Sequence, residues 1–194
     1  CEIGDGVRIA NIGSVISNYI IENDVIIQDV AALVADPNAS YGNGVELETI
    51  NEGGGRGVKI INDLTSQSAY VQGMLRHNAA FTKKLDELVE AKAKEAKTEK
   101  GRVARGAKVL HCGTIRNVTI GVHAYVHGAQ FLENGTINSC VEHPTEVGEG
   151  VQAKSFILSE GARVESGAVL DKAFVGQGVK MGKQFSAENS LFFA

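Results

Sequence analysis

One group of residues with chemical potential gathers around a glycine run. Glu52, Arg56, Arg76 and His77 lie close in sequence to Gly53-Gly54-Gly55. A Gly-rich loop lets backbone N–H groups approach an anion, and arginine adds a planar fork for phosphate or carboxylate. Gly54, Gly55, Arg56 and Arg76 are therefore the expected ligand-binding set. Glu52 beside His77 would supply an acid and a base. A plainer reading competes: the glycines make a sharp chain exit and Glu52 pairs with Arg56 or Arg76. Either way, Glu52, Arg56 and Arg76 are expected within contact distance. The run matches neither a P-loop nor a dinucleotide fingerprint.

A second group is His111, His123, His127 and His143. Neutral imidazoles suit zinc. His123 and His127 are four apart, which on an extended strand puts them on one face about 13 Å apart. No matched acid follows them, so surface histidines without a metal are the simpler expectation. The 3 cysteines are an odd number and far apart, which excludes a disulfide framework and a CxxC zinc site. Cys112 and Cys140 are expected to be inert small side chains.

Composition bounds what such groups would serve. The chain has 194 residues, 19 Lys+Arg against 23 Asp+Glu, and a net charge of −4. That balance argues against nucleic-acid partners, which need a basic surface. At 43% apolar, the chain can bury a core. Its apolar runs are too short to span a membrane, and no signal segment opens it, so a cytoplasmic location is expected. It starts at Cys1 and ends at Leu191-Phe192-Phe193-Ala194, which reads as a piece cut from a longer protein. The 23 glycines with only 2 prolines suggest many turns of one kind.

The element that must position these residues shows in a repeat. Every sixth residue from Ile3 is aliphatic: Ile3, Ile9, Val15, Ile21, Ile27, Leu33. A helix would need apolar spacing of three and four, a simple strand a spacing of two. The pattern resumes at Tyr41 and Leu47, then runs Val103, Val109, Ile115, Ile120, Val126, Leu132, Ile137. A last stretch gives Val147, Ala153, Leu158, Val164, Leu170, Val175, Met181, Ala187, Phe193. A short step of five recurs about every third position, so three hexads, one of them often shortened, close one coil. That predicts an all-β solenoid, a triangular parallel β-helix with one inward aliphatic per face. Gly4-Asp5-Gly6, Gly42-Asn43-Gly44, Gly148-Glu149-Gly150 and Gly176-Gln177-Gly178 fit its corners, where positive φ is needed.

These hexads, over about 1–60 and 103–194, resemble the single-stranded left-handed β-helix of hexapeptide-repeat transferases. A wider resemblance rests on Asn51-Glu52-Gly53-Gly54-Gly55-Arg56, Ala69-Tyr70 with Arg76-His77, Val175-Gly176-Gln177 and Ser190–Phe193. These resemble a bacterial family of larger proteins of unknown function, sometimes named as relatives of UDP-N-acetylglucosamine pyrophosphorylase. In that family the β-helix continues further. The resemblance implies a left-handed coil and a transferase of a sugar or nucleotide-sugar. It implies His123 or His127 as base toward a hydroxyl or amine, acyl-CoA along the coils, and a homo-oligomer, often a trimer. An isolated piece is expected to bind no acyl-CoA tightly. The β-helical carbonic anhydrases hold zinc with three histidines between subunits, an arrangement not matched here. Nucleotidyl transfer would need an α/β domain that this chain lacks. The alternative is a non-catalytic scaffold or oligomerisation module.

Residues 65–101 break the period and read as a helical insertion between coils at 1–64 and 102–194. Thr65 or Ser66 would cap its start, and Asn78 would separate two helices. An apolar stripe through Phe81 and Leu88 is expected to pack on the β-helix or on another subunit. Lys92–Lys100 is a solvated, charged end.

Overall fold

The computed structural model describes residues 1–50 and 53–194. Four strands open the chain: β1 (Glu2–Ile3), β2 (Arg8–Ser17), β3 (Tyr19–Ile21) and β4 (Ile26–Val34). An excursion follows, with β5 (Glu46–Leu47), β6 (Val58–Lys59), α1 (Ser66–Met74) and α2 (Ala79–Glu95). Then come β7 (Gly101–Val103), β8 (Lys108–Leu110), β9 (Thr114–Ile120), β10 (Tyr125–His127) and β11 (Phe131–Ile137). The last are β12 (Glu146–Val147), β13 (Gln152–Leu158), β14 (Arg163–Val164), β15 (Val169–Val175), β16 (Lys180–Met181) and β17 (Ser186–Phe192). Apart from the antiparallel β5–β6 pair, they join in one 15-stranded sheet of parallel ladders. The sheet curls on itself as a β-solenoid.

Register sets the coil length. Val109 pairs with Val126, and Leu170 with Ala187, the same step along the chain in both cases and one short of three full hexads. The inward aliphatics therefore stack vertically. Every hexad residue from Ile21 to Leu33 and from Val103 to Ala187 lies in one buried core. A coil with neighbours on both sides meets water only through its outer face, so those neighbours supply most of its burial. The step lengthens between Val126 and Val147, where the chain through Cys140 and His143 bulges outward as a longer loop.

Two hexad positions are corrected. A bulge in β2 shifts the register, so Ile16, not Val15, stands opposite Leu33. Val15 is exposed. At the other end Phe192 pairs with Val175 and packs on the core, while Phe193 packs outside against Phe174. The short step of five falls after Ala187, as it does once per coil.

The corners carry positive φ. One column runs Asn117, Asn134, Ser155, Lys172, Asn189, each with φ near 50° and one per coil. Gly6, Gly150 and Gly178 also have positive φ and sit in tight turns.

The excursion is longer than the helical break in the sequence suggests. Ile21 pairs with Val103, several coil lengths further along the chain, whereas Val103 pairs with Ile120 at the ordinary coil step. The excess chain is inserted between β4 and β7 without altering the register. Tyr41 and Leu47 thus belong to the insertion, and not to a coil. Leu47 packs in a second core with Val58, Ile60, Leu64 and Ala69. That core closes over Ile157 and Phe174, which point outward from β13 and β15. The Gly42 turn is likewise no coil corner. Gly42 N–H donates to Asn134 Oδ1 at 2.9 Å, and Thr136 Oγ1 donates to Tyr41 O at 2.7 Å. These bonds tie the insertion to the outer face.

Thr65 caps α1 in a reciprocal capping box with Ser68, and Asn78 caps α2 by accepting from Phe81 N–H. Helix α2 turns Val89 and Ala93 inward. Phe81 and Leu88 stay 45% and 61% exposed, so the expected apolar stripe does not pack on the solenoid. The buried face lies along Val89 and Ala93, and beside it Lys59 pairs with Glu90 at 2.9 Å.

Candidate functional site

The glycine run and its companions come out only partly assembled. Glu52 lies outside the described residues. Arg76 Nη1 reaches Gly57 O at 3.5 Å, which brings the end of α1 to the loop. Arg56 and His77 are exposed, as are Gly53 and Gly55. Gly54 and Gly55 both have positive φ, 81° and 87°, so their conformation accounts for the glycines without a ligand. The expected contact among Glu52, Arg56 and Arg76 involves a residue outside the described ones; of the set, Arg76 reaches the loop at Gly57 O.

The histidines separate. His123 occupies a corner with φ 55°, its ring directly over Gly106 of the coil below. A side chain at 106 would meet that ring at 2.6 Å, so the glycine makes room for it. His127 closes β10, on the far side of that strand from His123. His143 lies exposed in the long loop. Among the described residues no three His, Cys, Asp or Glu side chains could hold a metal ion. Cys112 faces inward in the core, and burial pushes its thiol pKa up.

His111 and His127 do converge. Their ring centroids are 5.4 Å apart, edge to face at 84°. His127 stacks on Tyr125, two residues earlier on the same strand face, at 5.7 Å and 14°. Val126 between them points into the core. Each imidazole meets a carboxylate from another coil. His127 Nδ1 lies 3.5 Å from Glu149 Oε1. His111 Nδ1 lies 3.0 Å from Asp29 Oδ2. Asp29 is held further by Asn11 Nδ2 at 2.8 Å and Gln28 Nε2 at 3.1 Å. Those hydrogen bonds, led by Asn11, keep its pKa below the ordinary 3.8.

His127 opens on a groove of about 360 Å³. Tyr125, Glu146, Glu149, Arg163, Glu165 and Lys183 line it. They come from successive coils because Tyr125, Glu146 and Arg163 share one ladder. Arg163 Nη2 is 3.5 Å from Glu146, and Lys180 holds Glu165 at 2.8 Å. The groove is thus rich in carboxylates, with its cations partly neutralised.

Sequence reasoning missed Asp29 and Glu149 as histidine partners, and Asn11 as the donor that holds Asp29. The signal was present but hidden: Asp29 and His111 fall in one column only when the inserted chain is removed from the count.

The whole chain, residues 1–194, matches the model of a domain of unknown function, DUF4954. The chain belongs to this family. An uncharacterized protein of Treponema pallidum (strain Nichols) is 25% identical over 175 residues. The match takes in 84% of this chain and 24% of the Treponema protein, so the chain spans about a quarter of that relative's length. No solved structure matches. The solenoid of this chain thus rests on its own ladder and register. Among the described residues, no helix is long and apolar enough to cross a membrane.

Proposed function

We propose that this chain is a hexapeptide-repeat, left-handed coil that supports acyl-type transfer to a hydroxyl or amine, with His127 as base. The observation that carries this reading is the placement of His127 in the groove with Glu149 at its Nδ1. A carboxylate on Nδ1 favours the tautomer whose Nε2 accepts a proton. Stacking on Tyr125 limits rotation of the ring. The groove has room for a sugar-sized acceptor, and the Tyr125 ring with several carboxylates suits hydroxyls and amines. Glu146, Glu149 and Glu165 disfavour a phosphate placed there, so a neutral or amino sugar is the better acceptor than a nucleotide-sugar. The donor, acyl-CoA by family resemblance, would lie along the coils.

The test is transfer itself. The chain, alone and within the longer protein, is incubated with acetyl-CoA and an amino sugar, and acetylated product is sought by mass spectrometry. Product that disappears with His127→Gln is the expected result. Absence of product in both forms, or a His127→Gln variant as active as the parent, sinks the reading.

A scaffold reading has its own support. Tyr70, Met74, Phe81 and Leu88 on the insertion helices are exposed apolar residues that suit an interface. Sedimentation separates the two: self-association lost on Phe81→Ser and Leu88→Ser, without any transfer activity, would favour the scaffold.

A further inference from the structure

We propose that Asp29, braced by Asn11, positions His111 as a second proton acceptor on the same edge, and that His111 is the more reactive imidazole of the pair. The inference deepens the transfer function above and rests on it for its purpose, though not for its test.

Three successive coils place Asn11, Asp29 and His111 at the same corner, with φ of 53°, 54° and 53°. One coil further, Gly128 with φ 69° fills that corner. Glycine meets the backbone requirement there without strain. A histidine at 111 adds nothing to the turn that glycine lacks, except an imidazole.

The polar contacts converge on Asp29. Asn11 Nδ2 donates to Asp29 Oδ1 at 2.8 Å, and Gln28 Nε2 donates to Asp29 Oδ2 at 3.1 Å. The carboxylate is therefore fixed before it meets His111 Nδ1 at 3.0 Å. With Nδ1 facing that carboxylate, the neutral tautomer expected for His111 carries its proton on Nδ1 and its lone pair on Nε2. His127 is held less firmly: its contact to Glu149 is 3.5 Å, and that carboxylate is 68% exposed against 32% for Asp29. The His111 side chain is 53% exposed. His111 lies one coil before the residues of that groove, its ring 5.4 Å from that of His127.

Two measurements on the full chain test this without any acyl donor or acceptor. The first is the tautomer of His111 from two-bond nitrogen–proton correlations on ¹⁵N-labelled protein. The second is site-resolved modification by diethyl pyrocarbonate. There the Nε2 lone pair attacks a carbonyl carbon, an N–C bond forms, the C–O bond to ethyl carbonate breaks, and the Nδ1 proton passes to water. The expected outcome is an Nδ1–H tautomer and modification of His111 severalfold faster than of His127 or of exposed His77. Asp29→Asn removes that advantage, and Asn11→Ala, which leaves the carboxylate in place, reduces it, with circular dichroism unchanged in both. An Nε2–H tautomer, a His111 no faster than His77, or rates indifferent to both substitutions overturns the proposal. A failed transfer assay with these results intact removes the transfer reading and leaves the positioned imidazole.

Discussion

Tyr19 is wholly buried, and its hydroxyl serves one residue twice. It donates to Val118 O at 2.9 Å and accepts from Val118 N at 3.3 Å. Burial pushes the phenol pKa upward, so it stays neutral. Tyr19→Phe leaves both backbone groups without this partner in the core and is expected to cost about 1–3 kcal/mol. A urea midpoint lowered at unchanged slope would show it. Asp36 gives the acid-side counterpart. Asn117 and Arg116 hydrogen-bond its carboxylate and hold its pKa below 3.8. With the folded value below the unfolded one, its contribution is present above about pH 4 and fades as pH falls through the folded value. Urea midpoints from pH 6 downward should fall less steeply below pH 4 for Asp36→Asn than for the parent. The sequence singled out His127 as a candidate alongside His123, but it did not reveal the carboxylate beside it. Glu149 comes from the next coil, and the longer loop between them stretches their separation beyond the ordinary coil step.

At the element scale, the insertion is held by a few defined contacts. Gly42 has φ 83°, and a Cβ there would meet Phe156 O at 2.6 Å. Gly42→Ala is expected to destabilise by about 1–3 kcal/mol through strain and collision together. Calorimetry gives the shift in melting temperature. Phe174 lies beneath the insertion's own core, outside the prism. Phe174→Ala should loosen α1 and α2 while the ladders persist, seen as faster proteolysis within residues 60–100. A cleavage rate equal to that of the parent would show that the anchor lies elsewhere. The two helices were legible from Thr65 and Asn78, whose short polar side chains cap their starts. The insertion's first boundary was not. Tyr41 and Leu47 sit six apart and copy the coil spacing, although Leu47 packs in the outer core. An apolar step of six records that a side chain is buried, without recording in which core.

For the whole molecule, stability follows the stack. Leu132 sits between Ile115 and Ala153 in the same column, and all three are buried. Leu132→Ala removes packing to both neighbours and is expected to cost about 2–5 kcal/mol, read from denaturant unfolding. In the first coil Ile3 and Ile9 are 60% and 37% exposed, although they pair with buried Ile21 and Ile27. Amide exchange should therefore be slowest from β9 to β15 and fastest in β1 and β2. The solenoid was legible because every inward residue repeats in the sequence itself. Outer-face groupings were not, since they depend on how much chain each corner and loop consumes.

The register-neutral excursion between β4 and β7 makes the solenoid a chassis with a docking bay. Strands on either side meet as though nothing lay between them, so the cargo at that point can be lengthened, exchanged or shortened without re-aligning a single coil. The outward patch at Ile157 and Phe174 is where the present cargo's own core grips the frame. A redesign that made those two residues polar would free the bay for a different passenger.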